Sequence, residues 1–142
     1  MHWLFKEEPS HYSFDALVTD GETRWSGVKN PQAQKNLRAV KKGDAILYYH
    51  TGDQKSVVGL ARAKANAYPD PEAGVGQSSS LAKAHVVDVQ PVRRLERPVT
   101  LAELKACPAF RDSPLVRIPR LSVMPITDEE WAAVEKLAGE KL

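Results

Sequence analysis

Residues Arg24 to Gln34, RWSGVKNPQAQ, hold the densest grouping of side chains able to recognise a ligand. Trp25 sits among small and polar neighbours, Gly27 follows, and Asn30 directly precedes Pro31. Asn favours the position ahead of a helix and Pro suits its first turn. The spacing therefore predicts a helix opening at Asn30-Pro31 and running through Gln32, Ala33, Lys35 and Leu37. A Trp-bearing loop just before a helix N-terminus offers an aromatic face, a side-chain amide and backbone N–H donors close together. That combination suits a flat polar heterocycle better than a metal ion or a fatty chain. The same residues also admit a purely architectural role, with Trp25 anchoring the loop to the core and Asn30 only capping.

Other chemistries lack their residues. The four histidines, at positions 2, 11, 50 and 85, share no metal-ligand spacing with one another or with carboxylates. Gly74-Val75-Gly76 runs into Gln77 and serines without the helix that a phosphate-cradling loop needs, and no GxSxG occurs. Glu7-Glu8 and Glu129-Glu130 read as helix-start or surface charge and not as a general acid/base pair. Cys107, the single cysteine, has no partner for an internal disulfide or a CxxC site. The chain is expected to bind and not to catalyse, with no cofactor and no metal.

The elements that must position the loop follow from periodicity. His2 to Phe5 reads as a first strand, stopped by Lys6-Glu7-Glu8 and Pro9. Ser13 precedes Phe14, Leu17 and Val18 at helical spacing, and Asp20-Gly21 ends that helix. Ala45 to Tyr49 is an apolar strand in which Tyr48 and Tyr49 must face opposite sides. From Val57 to Ala67 the alternation marks a half-buried strand. Its inner residues, Gly59, Ala61 and Ala63, are small enough to require something bulky against them, and the three tryptophans are candidates. Tyr68-Pro69-Asp70-Pro71 reads as a turn, Ala73 to Ser80 as a mobile surface loop, and Lys83 to Val92 as a further strand. Thr100 with Glu103 and Thr127 with Glu130 each fit a capping box, with Val99 on Leu104 and Ile126 on Trp131 as staples. Trp131, Val134 and Ala138 share one helical face. Few strands, short connections and no regular βαβ alternation indicate an α+β, mainly β chain: one domain built as a small mixed barrel flanked by helices.

The 142 residues carry a net charge of +2, with arginines gathered in the second half, which is compatible with a local basic face or with scattered solvated arginines. No apolar run approaches the roughly eighteen residues of a membrane span, and MHWLFKEEP lacks the design of a signal peptide. A soluble cytoplasmic protein with no membrane partner is expected.

Six segments, in order over nearly the whole chain, resemble the EVE domain family, a PUA-like group related to the YTH readers. They are WLFKEEP (Trp3 to Pro9), WSGVKNPQA (Trp25 to Ala33), GDAILYYHTG (Gly43 to Gly52), VVGLARAKANAYPDP (Val57 to Pro71), PVTLAELK (Pro98 to Lys105) and LSVMPI (Leu121 to Ile126). The resemblance implies a PUA-like β-barrel with a concave pocket and no catalytic role. Such pockets in related readers take a modified nucleobase turned out of its strand. The implied partner is nucleic acid carrying a modified base, with a modified cytosine in DNA favoured over RNA. A small-molecule module and a nucleobase-modifying enzyme are the rival readings. Carried over by the family pattern, the base pocket comprises Trp25, Ser26, Gly27, Val28, Asn30, Lys6, Glu7, Tyr49, His50, Tyr68, Pro69, Leu121 and Ser122, with Thr51 and Asp70 beside them. Lys29, Arg93, Arg94 and Arg120, with Lys6, are the expected phosphate contacts. Glu7 stands where many members carry a small hydroxyl residue, which favours ligand groups that donate hydrogen bonds. Lys29 replaces a frequent Arg and loses its bidentate fork. Val28 and Leu121 are the expected neighbours of a methyl mark.

Overall fold

The helices begin where a side chain satisfies the free N–H groups of the first turn. In the computed structural model, which describes residues 1–72 and 84–142, Ser13 Oγ accepts from Ala16 N at 3.1 Å and opens α1 (Phe14–Asp20). Asn30 Oδ1 accepts from Ala33 N at 3.0 Å and, with Pro31 behind it, opens α2 (Pro31–Arg38). Thr100 and Glu103 form a reciprocal capping box at α3 (Leu101–Lys105). A 3-10 turn (Pro108–Phe110) and the short α4 (Pro114–Arg117) follow. Thr127 and Glu130 close a second box at α5 (Asp128–Ala138). Among the described residues no helix is long and apolar enough to cross a membrane.

The sheet is built outward from a parallel pair. β1 (His2–Glu7) lies in register with β3 (Ala45–His50), so Lys6 faces Tyr49 and Glu7 faces His50. β7 (Val123–Ile126) joins the free edge of β1 antiparallel. On the other side β4 (Ser56–Ala63) pairs with β3, and the long β6 (His85–Thr100) pairs with β4. β2 (Thr23–Trp25) and the two-residue β5 (Tyr68–Pro69) both pair with β6. The order among the described residues is β2-β6-β4-β3-β1-β7, a curled mixed half-barrel flanked by helices, as the sequence indicates. β1 and β3 read as apolar runs because both of their faces are covered.

Several elements differ from the periodicity. β2 falls inside the stretch read as a loop, since its three residues are too few to show a pattern and form only against β6. Tyr68-Pro69 makes a strand bridge as well as a turn, and β4 ends at Ala63 instead of Ala67. β6 runs on to Thr100 through Pro91, where the ladder with β4 shifts between Leu60 and Ala61 and tolerates the missing N–H. The expected loop at Ala73 to Ser80 and the start of the following strand at Lys83 lie outside the described residues. The bulky group over Gly59 is Phe14 and not a tryptophan: a Cβ at Gly59 would stand 2.5 Å from the Phe14 ring.

An aromatic cluster fills the concave side. The Trp25 ring lies 5.2 Å from Phe5 and meets Tyr48 edge-on at 5.4 Å, and Phe14 meets Tyr48 at 5.4 Å. Trp3 is buried and donates through Nε1 to Asp44 at 2.9 Å. Trp131 packs against the core and stacks on His2 at 4.2 Å.

α2 packs across the open side of the sheet, against β7 and β6. Asn36 Nδ2 donates to the Val123 carbonyl at 2.8 Å, satisfying the outer edge of β7. The buried Gln34 donates to Val28 O at 2.8 Å and accepts from His85 N at 2.9 Å, tying the loop before α2 to the start of β6. With a third bond, from Nε2 to His85 O at 3.2 Å, this amide satisfies three backbone groups, and each loses that hydrogen bond when the side chain is removed. Gln34→Ala is therefore expected to lower the unfolding free energy by about 2–3 kcal/mol, and Asn36→Ala, which strands a single carbonyl, by about 1–2 kcal/mol. Urea unfolding followed by tryptophan fluorescence measures both; a Gln34→Ala variant as stable as the parent would show that the clasp contributes nothing.

Candidate functional site

Successive side chains of a strand point to opposite faces, and at the end of β1 this separates a cation from an anion. Glu7 lies on the face of Phe5, Lys6 on the other, and each lines its own cavity.

The first cavity, of about 200 Å³, is lined by Glu7, His11, Tyr12, Thr23, Arg24, Trp25 and Ser26. Glu7 is fixed from two directions: its Oε1 accepts from Glu8 N at 3.0 Å and lies 3.2 Å from His11 Nδ1. Tyr12 is held by its backbone carbonyl, which accepts from Tyr48 OH at 2.6 Å, and by its hydroxyl, which donates to Asp20 at 2.7 Å. Burial and then the Asp20 carboxylate push the Tyr12 hydroxyl above its ordinary pKa, so it stays a neutral donor. Burial also raises Tyr48. Trp25 is only 5% exposed, which limits how much of its ring a ligand can meet. Gly27, at φ +75°, makes the turn from β2 toward α2 in a conformation that other residues rarely adopt. Arg24 is exposed; a hydrogen bond to the Tyr68 hydroxyl raises its pKa, and Glu72 lies 3.9 Å away.

The second cavity, of about 300 Å³, has a different chemistry: Lys6, Lys55 and Lys105, with Tyr49, Thr51 and Gly52, over an apolar floor that includes Leu101 and Leu115. Lys6 Nζ donates to Pro119 O at 2.9 Å and stands 5.7 Å from the centre of the Tyr49 ring. Burial pulls the Lys6 pKa below its ordinary value and pushes Tyr49 up to about 12.

The structure thus brings Glu7, Trp25 and Ser26 together and places the other expected pocket residues elsewhere. Lys6 and Tyr49 belong to the lysine cavity because β1 and β3 alternate. His50 is buried inside the fold: its Nε2 accepts from Phe14 N at 3.0 Å, so Nδ1 carries the proton and donates to Gln54 Oε1 at 2.8 Å. Leu121 is core, Ser122 uses its carbonyl to accept from Lys6 N, and half-buried Val28 packs on the core. Asn30 spends its side-chain oxygen on the cap. Tyr68 donates to Asp88 at 2.8 Å behind Arg24, Pro69 is exposed beside it, and Thr51 donates to Glu8. Among the expected phosphate contacts, Arg93 is paired with Glu140 and Arg94 with Asp15, while Lys29 and Arg120 are exposed. Sequence reading missed His11, Tyr12, Thr23 and Arg24. Arg24 lay within the quoted stretch and His11 stands four residues after Glu7; Tyr12 carried no signal. Among the described residues no group of three or more His, Cys, Asp or Glu could hold a metal ion.

A sequence profile of the EVE domain matches residues 1–137. The chain belongs to the EVE domain family. Human thymocyte nuclear protein 1 is 32% identical over 164 residues, an alignment that takes in 96% of this EVE domain chain and 73% of the human protein. A crystal structure of a Pseudomonas putida protein superposes with a TM-score of 0.87 at 38% identity, covering 97% and 99% of the two chains. The crystal structure of human THYN1 in complex with DNA containing 5-methylcytosine superposes at 0.86 with 30% identity, covering 99% of each.

His50 has a structural role in this EVE domain, and that is testable. His50→Leu removes the acceptor of a buried N–H and is expected to cost about 1–3 kcal/mol in unfolding free energy, read from chemical denaturation. Unchanged stability would return His50 to the list of candidate ligand contacts.

Proposed function

We propose that this EVE domain is a non-catalytic nucleic-acid-binding module that reads a modified base, a modified cytosine in DNA, turned out of its strand into the Glu7–Trp25 cavity. The observation that carries this reading is a fixed carboxylate facing aromatic walls in a cavity of about 200 Å³. That is below the roughly 300–1,000 Å³ of pockets for drug-sized ligands and of the order of one heterocycle. The DNA complex of human THYN1, similar in fold over the whole chain, supports the same partner.

The physical terms are of the right size. Turning out a base costs a few kcal/mol, and contact with an aromatic ring, here chiefly half-buried Tyr12 because Trp25 is almost closed off, returns roughly 1–3 kcal/mol per base. The Glu7 carboxylate accepts from the exocyclic amino group of cytosine, the donor on that base's edge, while Ser26 and Arg24 can serve its acceptors. A buried methyl adds about 0.8 kcal/mol, about a fourfold preference for the modified base. Tyr12 and Trp25 are the apolar walls available to it, in place of Val28 and Leu121. Among the described residues, exposed Lys29 and Arg120 have no ion-pair partner and suit backbone phosphates better than Arg93 and Arg94, which would first have to leave Glu140 and Asp15.

The test is fluorescence anisotropy with labelled oligonucleotides holding one cytosine, one 5-methylcytosine or neither, in DNA and in RNA. Tighter binding of the methylated DNA is expected, with affinity falling as salt rises. Glu7→Gln should weaken binding about tenfold or more, since a charge-assisted hydrogen bond contributes about 1.5–3 kcal/mol. Equal affinity for every oligonucleotide in parent and variant would overturn the reading. A change in the mass of the bound strand would replace it with an enzymatic one.

A further inference from the structure

The lysine cavity on the opposite face of β1 is not used by the base-reading proposal. Lys6, Lys55 and Lys105 converge on about 300 Å³, and a neighbouring recess of about 340 Å³ shares Lys55 and Lys105. Among the described residues none of the three lies within ion-pair distance of a carboxylate, whereas Lys64 pairs with Glu22 at 2.8 Å. Glu8 lies behind Gly52, accepts from Thr51 Oγ1 at 3.2 Å, and lines neither recess. Tyr49 and Thr51 also line the cavity, and the Thr51 hydroxyl proton is already given to Glu8. Half-buried Lys6 and exposed Lys55 and Lys105 line one recess with no carboxylate paired to them among the described residues, which gives it a positive potential that favours an anionic ligand.

A second observation is independent of charge. Lys55 has φ +42° and is the one described residue other than glycine in the left-handed region. Its carbonyl accepts from Leu101 N at 2.8 Å, which holds the strained turn in place between β3 and β4. A β-carbon is disfavoured there and glycine would relieve it, so a lysine at that position points to work done by the side chain.

We infer that this cavity is an anion site for a phosphomonoester. Three ammonium groups exceed what the single charge of a backbone diester balances, while a terminal phosphate carries about −1.5 to −2 at neutral pH. Tyr49 and Leu101 give the organic part of such a ligand an apolar surface. The phosphate comes either from a free nucleoside monophosphate or from the 5′-phosphorylated end of a strand, and the chemistry is common to both.

Isothermal titration calorimetry and amide NMR on the whole chain, with inorganic pyrophosphate, thymidine 5′-monophosphate and thymidine, test this. Saturable binding of the two phosphates, amide shifts at Thr51 and Gly52, and no binding of thymidine are expected. Lys55→Ala combined with Lys105→Ala should weaken pyrophosphate about tenfold or more. Lys55→Gly should leave the Tm level or higher while pyrophosphate binding falls. Pyrophosphate has no base, so its result does not depend on the Glu7 cavity. Tighter binding of a 5′-phosphorylated than of a 5′-hydroxyl hexathymidylate assigns the strand end; equal binding of the two, with the monophosphate still bound, assigns the free ester. No saturable binding of either phosphate, affinity unchanged in the double variant, or a lower Tm with unchanged binding for Lys55→Gly overturns the site.

Discussion

Because β1 and β3 run parallel and in register, with Lys6 opposite Tyr49 and Glu7 opposite His50, the pleat of two strands decides which side chains meet. Phe5, Glu7, Tyr48 and His50 fall on the concave side with Trp25 and Phe14. Lys6 and Tyr49 fall on the other, under α3 and α4. A slip of one residue would exchange every one of these and drive a lysine into the aromatic cluster, so the register is held by burial on both faces. The acid and the amine, adjacent in the chain, end up in separate cavities of opposite character.

That separation lasts only if the curled sheet keeps its shape, and the edges that a half-barrel leaves open are closed by side chains. α2 lies over β7 and β6 with Asn36 on the Val123 carbonyl and Gln34 on Val28 and His85. Gln34 is 7% exposed, so its three backbone bonds are made where water cannot replace them. On the far side His50 ties the first N–H of α1 to β3, and Phe14 fills the gap over Gly59. The residues that look functional in a linear reading, His50 and Asn30, carry out this fastening.

Local signals were legible wherever the physics is local. Ser13, Asn30, Thr100 and Thr127 open helices where their hydrogen-bonding chemistry predicts, and Gly21 ends α1 in the left-handed conformation. The barrel followed from strand count and from the resemblance. What the linear pattern does not carry is partnership. β2 exists because Thr23 to Trp25 pair with Val87 to Val89, some sixty residues on, and no propensity of three residues announces that. The family pattern named Lys6 and Glu7 together, yet alternation sends them apart, and Tyr12 enters the site through a carbonyl held by Tyr48. Arg93 looked like a free cation until the chain's end brought Glu140 to it.

The packing of Trp25 constrains what recognition in the Glu7 cavity can rest on. An indole packed edge-on to Tyr48 and against Phe5, with 5% of its surface open, has little face left for stacking. If a base occupies that cavity, selectivity must lean on its edge, where a carboxylate is a severe judge. Cytosine and adenine present an exocyclic amino donor to Glu7; thymine presents a carbonyl oxygen, and two acceptors facing each other in a half-buried site repel. A small hydroxyl in the same position would donate or accept and so tolerate either. With a base bound there, Glu7 would narrow the choice between bases more strongly than any apolar wall would narrow the choice between a plain base and its methylated form, since one buried methyl contributes only about 0.8 kcal/mol. Under the proposed reading, charge at Glu7 would set the identity of the base and packing the mark upon it, and the first term would be the larger.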